Sequence, residues 1–163
     1  MEKVTNLFMN DQFALKYDDL IQKQDWHGPE ILFGMIFEYI KPGERILDIG
    51  IGTGLSATAF HSVGLEVYGL DYSDEMLQVC EQKGFAIDLK QFDLNNSPLP
   101  YSDYFFDHIS ANAVLYFIAD LTNLFREISR IIKRKGIWAF IVEEHDDLSE
   151  GRIVEKPPGK NGH

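Results

Sequence analysis

From Arg45 onward the chain alternates between two hydrophobic rhythms. Short apolar runs of strand character cover 45–49, 66–70, 86–92, 105–111 and 136–142. Between most of them, apolar residues recur at helical spacing over 55–63, 74–83 and 120–133. The period is clearest in the last stretch, where Leu121, Leu124, Phe125, Ile128, Ile131 and Ile132 are predicted to share one face. Strands alternating with helices predict βαβ units, a mostly parallel sheet and right-handed crossovers, the doubly wound (Rossmann-like) α/β class. Residues 93–104 are rich in Asn, Ser and Pro and are predicted as a loop where a helix would otherwise sit.

Upstream, residues 1–28 are mixed and carry aromatics, which predicts one or two short helices capping a single domain over 1–145. Pro29 opens a helix at a position where its missing N–H costs nothing. Ile31, Leu32, Met35, Ile36, Tyr39 and Ile40 are expected on its apolar face, and Lys41-Pro42-Gly43 ends it. After Val142 the chain turns polar, and 146–163, with prolines and glycines, is expected to be a flexible tail.

Composition narrows the partners. The chain has 163 residues, 45% of them hydrophobic, enough for one real core. Twenty-six acids against 15 bases give a formal net charge of −11 with no clustered basic face. Such a surface repels phosphate backbones and anionic headgroups, so neither nucleic acid nor a membrane is an expected partner. The lone cysteine, Cys80, forms no intrachain disulfide and reads as packing. With no apolar leader and no run of membrane-spanning length, a cytoplasmic setting is expected.

The strongest chemical signal is 46–54, Ile-Leu-Asp-Ile-Gly-Ile-Gly-Thr-Gly, a strand running into glycines and then a helix. Gly50, Gly52 and Gly54 permit a tight turn and close approach of the backbone to a ligand. Three glycines alone describe any tight β-to-α turn. Two acids narrow the reading: Asp48 precedes the first glycine at the end of the first strand, and Asp71 ends the second. A carboxylate at the second position suits a ribose diol, because it accepts two hydroxyl hydrogen bonds. A dinucleotide loop is spaced G-x-G-x-x-G to bring a pyrophosphate onto the helix N-terminus. Here the spacing is G-x-G-x-G behind an acid, which suits a cationic ligand. S-adenosylmethionine carries an ammonium and a sulfonium and no phosphate, so it fits better than a nicotinamide dinucleotide.

Residues 48–54, Asp71-Tyr-Ser-Asp-Glu-Met-Leu77, Asp93 and Leu99-Pro-Tyr-Ser-Asp-Tyr-Phe-Phe-Asp107 together resemble the class I S-adenosylmethionine-dependent methyltransferases. The branch most similar is that of the ubiquinone-biosynthesis-type, small-molecule enzymes. Arg126-Glu-Ile-Ser-Arg-Ile-Ile-Lys133 and Lys135-Gly136 resemble that branch's fourth helix and fifth strand, so the match runs in order from Ile31 to Val142. The resemblance implies a methyltransferase with S-adenosyl-L-methionine as cofactor and a small-molecule acceptor. It implies that Gly50, Gly52 and Gly54 pack against the methionine portion while Asp48 binds the ammonium, directly or through water. It implies Asp71 on the ribose, Tyr72 against the adenine, Asp93 on the adenine amino group and the Leu94 N–H on the ring. Ala111 and Asn112 would line the methyl-donor side. Asp93 also suits the opening of a turn at 93–96, and Asp107 reads as structural.

Tyr17, Trp26 and His27 fall in the segment that caps the cofactor in that family and are candidates for the acceptor pocket, or equally core side chains. Glu143, Glu144 and His145 follow the fifth strand and read first as a solvated acidic run; His145 is the general-base candidate there. No metal-ligand pattern is present in the sequence. The family normally follows strand five with a helix and a β-hairpin, whereas here 18 residues follow His145, too few for those elements. The expected sheet is therefore five strands in the order 3-2-1-4-5 without the hairpin, leaving strand five at an edge. A truncated chain, a natural short form and a homodimer covering that edge all stay open. A rival function is a catalytically silent cofactor-binding module that acts through protein contacts.

Overall fold

A computed structural model of the chain describes residues 10–24 and 26–142. Two short helices, α1 (Asp11–Ala14) and α2 (Tyr17–Lys23), lead to α3 (Gly28–Ile36), which tightens into a 3-10 turn at Phe37–Tyr39. Then come β1 (Arg45–Ile49), α4 (Ala57–Ser62), β2 (Glu66–Asp71), α5 (Asp74–Gln82) and β3 (Ala86–Gln91). After the 93–104 loop follow β4 (Phe106–Asn112), a 3-10 turn at Leu115–Phe117, α6 (Leu121–Ile131) and β5 (Ile132–Ile141). The strands form one sheet, parallel as the alternation predicts, in the order β3-β2-β1-β4-β5 that the family resemblance implies.

β1 sits at the centre because it is apolar on both faces. Leu47 and Ile49 join Phe106, Ile109, Leu124, Ile128 and Ile131 in the core under α6, all nearly inaccessible. Ile46 faces the other way, into a second core with Val67, Leu32, Ile36, Phe60 and Cys80 beneath α3, α4 and α5. Helices on both faces explain why the central strands read as near-continuous apolar runs. The order of connection reverses between the parallel neighbours β1 and β4, so the segments that leave their carboxyl ends part to opposite sides and open the crevice in which such sheets bind ligands. Asp107, at the opposite end, ties β4 to β1 by accepting the Arg45 N–H at 2.9 Å and pairing with Lys133 at 2.7 Å. Burial pushes its pKa up, but those partners outweigh it and hold the carboxyl below its usual range.

Three sequence expectations need correction. The apolar face of α3 is narrower than predicted: Leu32 and Ile36 are buried, while Ile31, Met35 and Tyr39 are more than half exposed. The helix lasts nine residues and then tightens, so only one stripe meets the sheet. Ile132 does not continue α6; its backbone is extended, and it opens β5 by pairing with Phe106. The next β4 residue to pair is His108, with Ile137, so 133–136 bulge out before regular pairing resumes. Finally, Leu121 and Phe125 stay 37% and 36% exposed. Phe125 lies against Trp138 and Phe140 of β5, at ring-centre distances of 6.1 and 6.0 Å, on the flank of the sheet rather than in its core.

The 93–104 segment replaces a helix, and one side chain secures it. Arg130 of α6 donates to the carbonyl oxygens of Leu99 (3.0 Å) and Tyr101 (2.8 Å) and pairs with Asp103 (2.8 Å) and Glu127 (2.7 Å). Glu127 in turn accepts the Leu99 N–H at 2.8 Å. Bonding to Arg130 holds the Glu127 carboxyl below its usual range. Arg130→Met keeps the aliphatic stem but strands the Glu127 charge and two carbonyls. Urea unfolding should show a loss of about 2–4 kcal/mol, with new proteolytic cleavage inside 93–104.

Candidate functional site

The turn after β1 is built by backbone geometry. Gly50 adopts a left-handed φ of 71°, and a Cβ there would lie 2.4 Å from Val114 Cγ2, so only glycine fits. The Gly50 and Ile51 amides both donate to the Leu70 carbonyl, folding the loop back onto the end of β2. There the Asp71 carboxylate accepts the Gly52 N–H at 2.7 Å through one oxygen and the Ser73 N–H at 2.9 Å through the other. Ser73 also caps α5 by accepting the Met76 N–H. One carboxylate thus holds the glycine loop, the end of β2 and the start of α5 in register.

Below the loop, Asp48 is 2% exposed on the central strand and accepts a hydrogen bond from Ser110 Oγ at 2.8 Å. Burial is the main cause that pushes its pKa up to about 7, with the nearby Asp71 charge adding to the rise and the Ser110 bond opposing it. Asp71 is raised too, again by burial, against the three backbone N–H groups of Ser73, Gly52 and Tyr72. Two carboxylates held close in a low-dielectric site favour a cation between or beside them.

A cavity of about 290 Å³ opens over these ends, walled by Gly50, Gly52, Asp71, Tyr72, Asp93, Leu94, Asn112 and Tyr17. That is close to the lower end, about 300 Å³, of small-molecule sites. A smaller recess of about 40 Å³ adjoins it, where Asp48, Trp26, Thr53 and Ser56 meet Tyr17, Gly50, Gly52 and Asn112. Asn112 donates to Ser56 Oγ at 2.7 Å, and its buried Oδ1 has no hydrogen-bond partner among the described residues. An acceptor of this kind beside Asp48 fits an ammonium. Asp93 both lines the cavity and opens a turn, accepting the Asn95 N–H at 2.9 Å.

Some expected residues lie elsewhere. Ala111 is fully buried in the core under α6, because alternation along β4 turns Asn112, not Ala111, toward the cavity. Gly54 faces inward: a Cβ there would meet Cys80 Sγ and Phe85 Cζ at 2.7 Å, so it serves helix packing rather than ligand approach. His27 is exposed, 4.0 Å from Glu30, and lines neither cavity. Glu143, Glu144, His145 and the tail at 146–163 lie outside the described residues. The sequence reading missed Ser73, Met76, Val114, Phe117 and Ile118 of the cavity wall. The signal for the last three, an apolar run directly after β4, resembles ordinary core. Among the described residues no three His, Cys, Asp or Glu side chains cluster to hold a metal, and no helix is long and apolar enough to cross a membrane.

Comparisons with known proteins agree with this geometry. A family model described as a methyltransferase domain matches residues 47–140. A demethylmenaquinone methyltransferase of Bacillus mycoides is 38% identical over 103 residues, covering 60% of this chain and 44% of that protein. The chain thus spans less than half the length of the curated relatives it matches. An S-adenosylmethionine-dependent methyltransferase structure from Mesorhizobium loti aligns at a TM-score of 0.59 with 28% identity, over 66% of this chain and 50% of that one. Phosphoethanolamine N-methyltransferase 2 of Haemonchus contortus, solved with S-adenosylmethionine, aligns at 0.68 with 24% identity, over 80% of this chain and 32% of that one, a likeness of fold.

The raised pKa of Asp48 makes stability depend on pH. The folded chain holds this proton up to about pH 7 while the unfolded chain releases it near 3.8, so folding is penalised increasingly as pH rises between those values. Asp48→Asn removes the penalty and keeps an acceptor for Ser110. In urea titrations the variant should gain on the wild type from pH 4 to pH 8, by on the order of 2–4 kcal/mol. A difference that stays constant with pH would show that Asp48 titrates normally.

Proposed function

The chain belongs to the methyltransferase domain family, and from that premise we propose that it binds S-adenosylmethionine in the cavity above β1 and β4 and methylates a small molecule. The observation that carries the reading is the Asp71 carboxylate. Backbone N–H groups, those of Gly52 and Ser73 among them, fix it at the cavity wall, with acceptor capacity left for a ribose hydroxyl. Asp48 and the Asn112 oxygen suit the ammonium of the amino-acid portion. Leu94, Val114, Phe117 and Ile118 give the cavity an apolar wall for a flat purine, with Asp93 as an acceptor for its amino group.

When bound, S-adenosylmethionine supplies an activated methyl group on a sulfonium. The residues of this chain contribute position: the glycine loop, Asp71 and Asp48 fix the donor's ribose and amino-acid ends. Tyr17 and Trp26 close the side of the adjoining recess, from which an acceptor can approach. Alignment of this kind supplies about 7–11 kcal/mol of barrier lowering without a dedicated base. The demethylmenaquinone methyltransferase relative supports a small-molecule acceptor.

A second reading, a cofactor-binding module acting through protein contacts, draws on the flank of β5. Phe125, Phe140 and Val142 are all exposed there, beside the edge of a ten-residue strand that pairs on one side only among the described residues. A second copy of the chain is the candidate cover. Sedimentation showing dimers, with no label transferred from methyl-labelled cofactor to demethylmenaquinone-type acceptors, would favour it.

Calorimetric titration tests the main reading. S-adenosylmethionine and its demethylated product should both bind, and Asp71→Ala should weaken each by about a hundredfold through lost charge-assisted bonds. Affinity in the wild type should fall as pH drops below about 7, because the ammonium needs the ionised Asp48; Asp48→Asn should bind weakly at every pH. No heat and no thermal shift with either compound removes the proposal.

A further inference from the structure

We propose that Asp18 is a positioning residue: it latches α2 onto the glycine loop and so holds Tyr17 over the nucleoside cavity. What Tyr17 covers rests on the function proposed above; the latch itself does not.

Asp18 uses both oxygens. Oδ1 accepts the hydroxyl hydrogen of Thr53, inside the glycine loop, and Oδ2 pairs with the Lys83 ammonium at the C-terminal cap of α5. The pair is largely shielded, with the Asp18 and Lys83 side chains 28% and 29% exposed, and Thr53 is 1% exposed. Charge-assisted bonds in such a place are stronger than a freely solvated surface pair. A seven-residue helix is marginal on its own. Apart from the buried Ile21 and an edge-on contact of Tyr17 with Phe13 (5.8 Å between ring centres), α2 presents mostly polar residues. Among the described residues, the Asp18 bonds tie α2 directly to the glycine loop and to the end of α5.

Tyr17 is the residue immediately before Asp18 and lines both the main cavity and the recess with Asp48 and Asn112. Loosening α2 withdraws Tyr17 from both at once, without touching Asp71 or the loop glycines. Lys83 is the C-terminal cap of the helix whose N-cap, Ser73, lines the cavity, so the latch reaches the far end of a helix that starts at the site.

Hydrogen exchange on the ligand-free chain tests the latch. Amides of 17–23 should exchange about tenfold faster or more in Asp18→Ala, and less so in Asp18→Asn and Lys83→Met, which keep the Thr53 bond. Amides of β1 and β4 should be unchanged. Release of S-adenosylhomocysteine, followed by Trp26 fluorescence in a Trp138→Phe background, should quicken about tenfold in Asp18→Ala. Tyr17→Ala should quicken release while loosening 17–23 less than Asp18→Ala does. If Asp18→Ala does not fold, the Asn and Met variants decide by the same measurements. Unchanged exchange overturns the latch, and loosened helices with unchanged release overturn the positioning role. Failure of the wild type to bind either nucleoside counts against the proposed function, while ligand-free exchange still decides the latch.

Discussion

The carboxyl edge of this sheet depends on one hydrogen-bonded clasp, the Asp71 carboxylate holding the amides of Gly52 and Ser73. The chain leaving β1 must turn within a few residues, pass above β2 and start a helix. Gly50 makes the turn sterically possible, yet it does not say where the loop goes. The Leu70 carbonyl and the Asp71 side chain do, by collecting three loop amides between them. The same carboxylate then fixes the start of α5. Loop, helix and cavity wall are consequently one rigid unit, and a ligand meets a rim that is already in place.

That rim contains an electrostatic conflict. Asp48 lies under it in the central strand with Ser110 as its hydrogen-bonding partner, close enough to Asp71 for each charge to oppose the other. Elsewhere acids are reconciled by cations, as Asp107 is by Lys133 and Glu127 by Arg130. On the proposed reading the reconciling cation comes with the ligand, and a less stable binding edge would be exchanged for selectivity toward positively charged compounds, a common relation between stability and function.

The succession of strands and helices and the glycine loop were legible because each follows from local pattern: period two against period 3.6, and glycine where a left-handed turn is required; the strand order came with the family resemblance. Asp71 was legible because it stands at the end of a predicted strand. What escaped notice depends on distant partners. Ile132 continues the helical period of α6, and only pairing with Phe106 makes it a strand residue. Ala111 and Asn112 are neighbours in sequence, and the pleat alone decides which one reaches the cavity. Val114, Phe117 and Ile118 look like core in sequence and wall a cavity in space. Asp18 carries no local mark of its role, since Thr53 and Lys83 are 35 and 65 residues away.

Those separations set an order of assembly. During synthesis α2 emerges before Thr53 and Lys83, and Asp18 cannot close on both until Lys83 has been made. At typical elongation rates that interval is about 3–13 seconds. The helix that carries Tyr17 therefore has no latch until the glycine loop and α5 both exist, and β4, α6 and β5 are still to be made when it can first close.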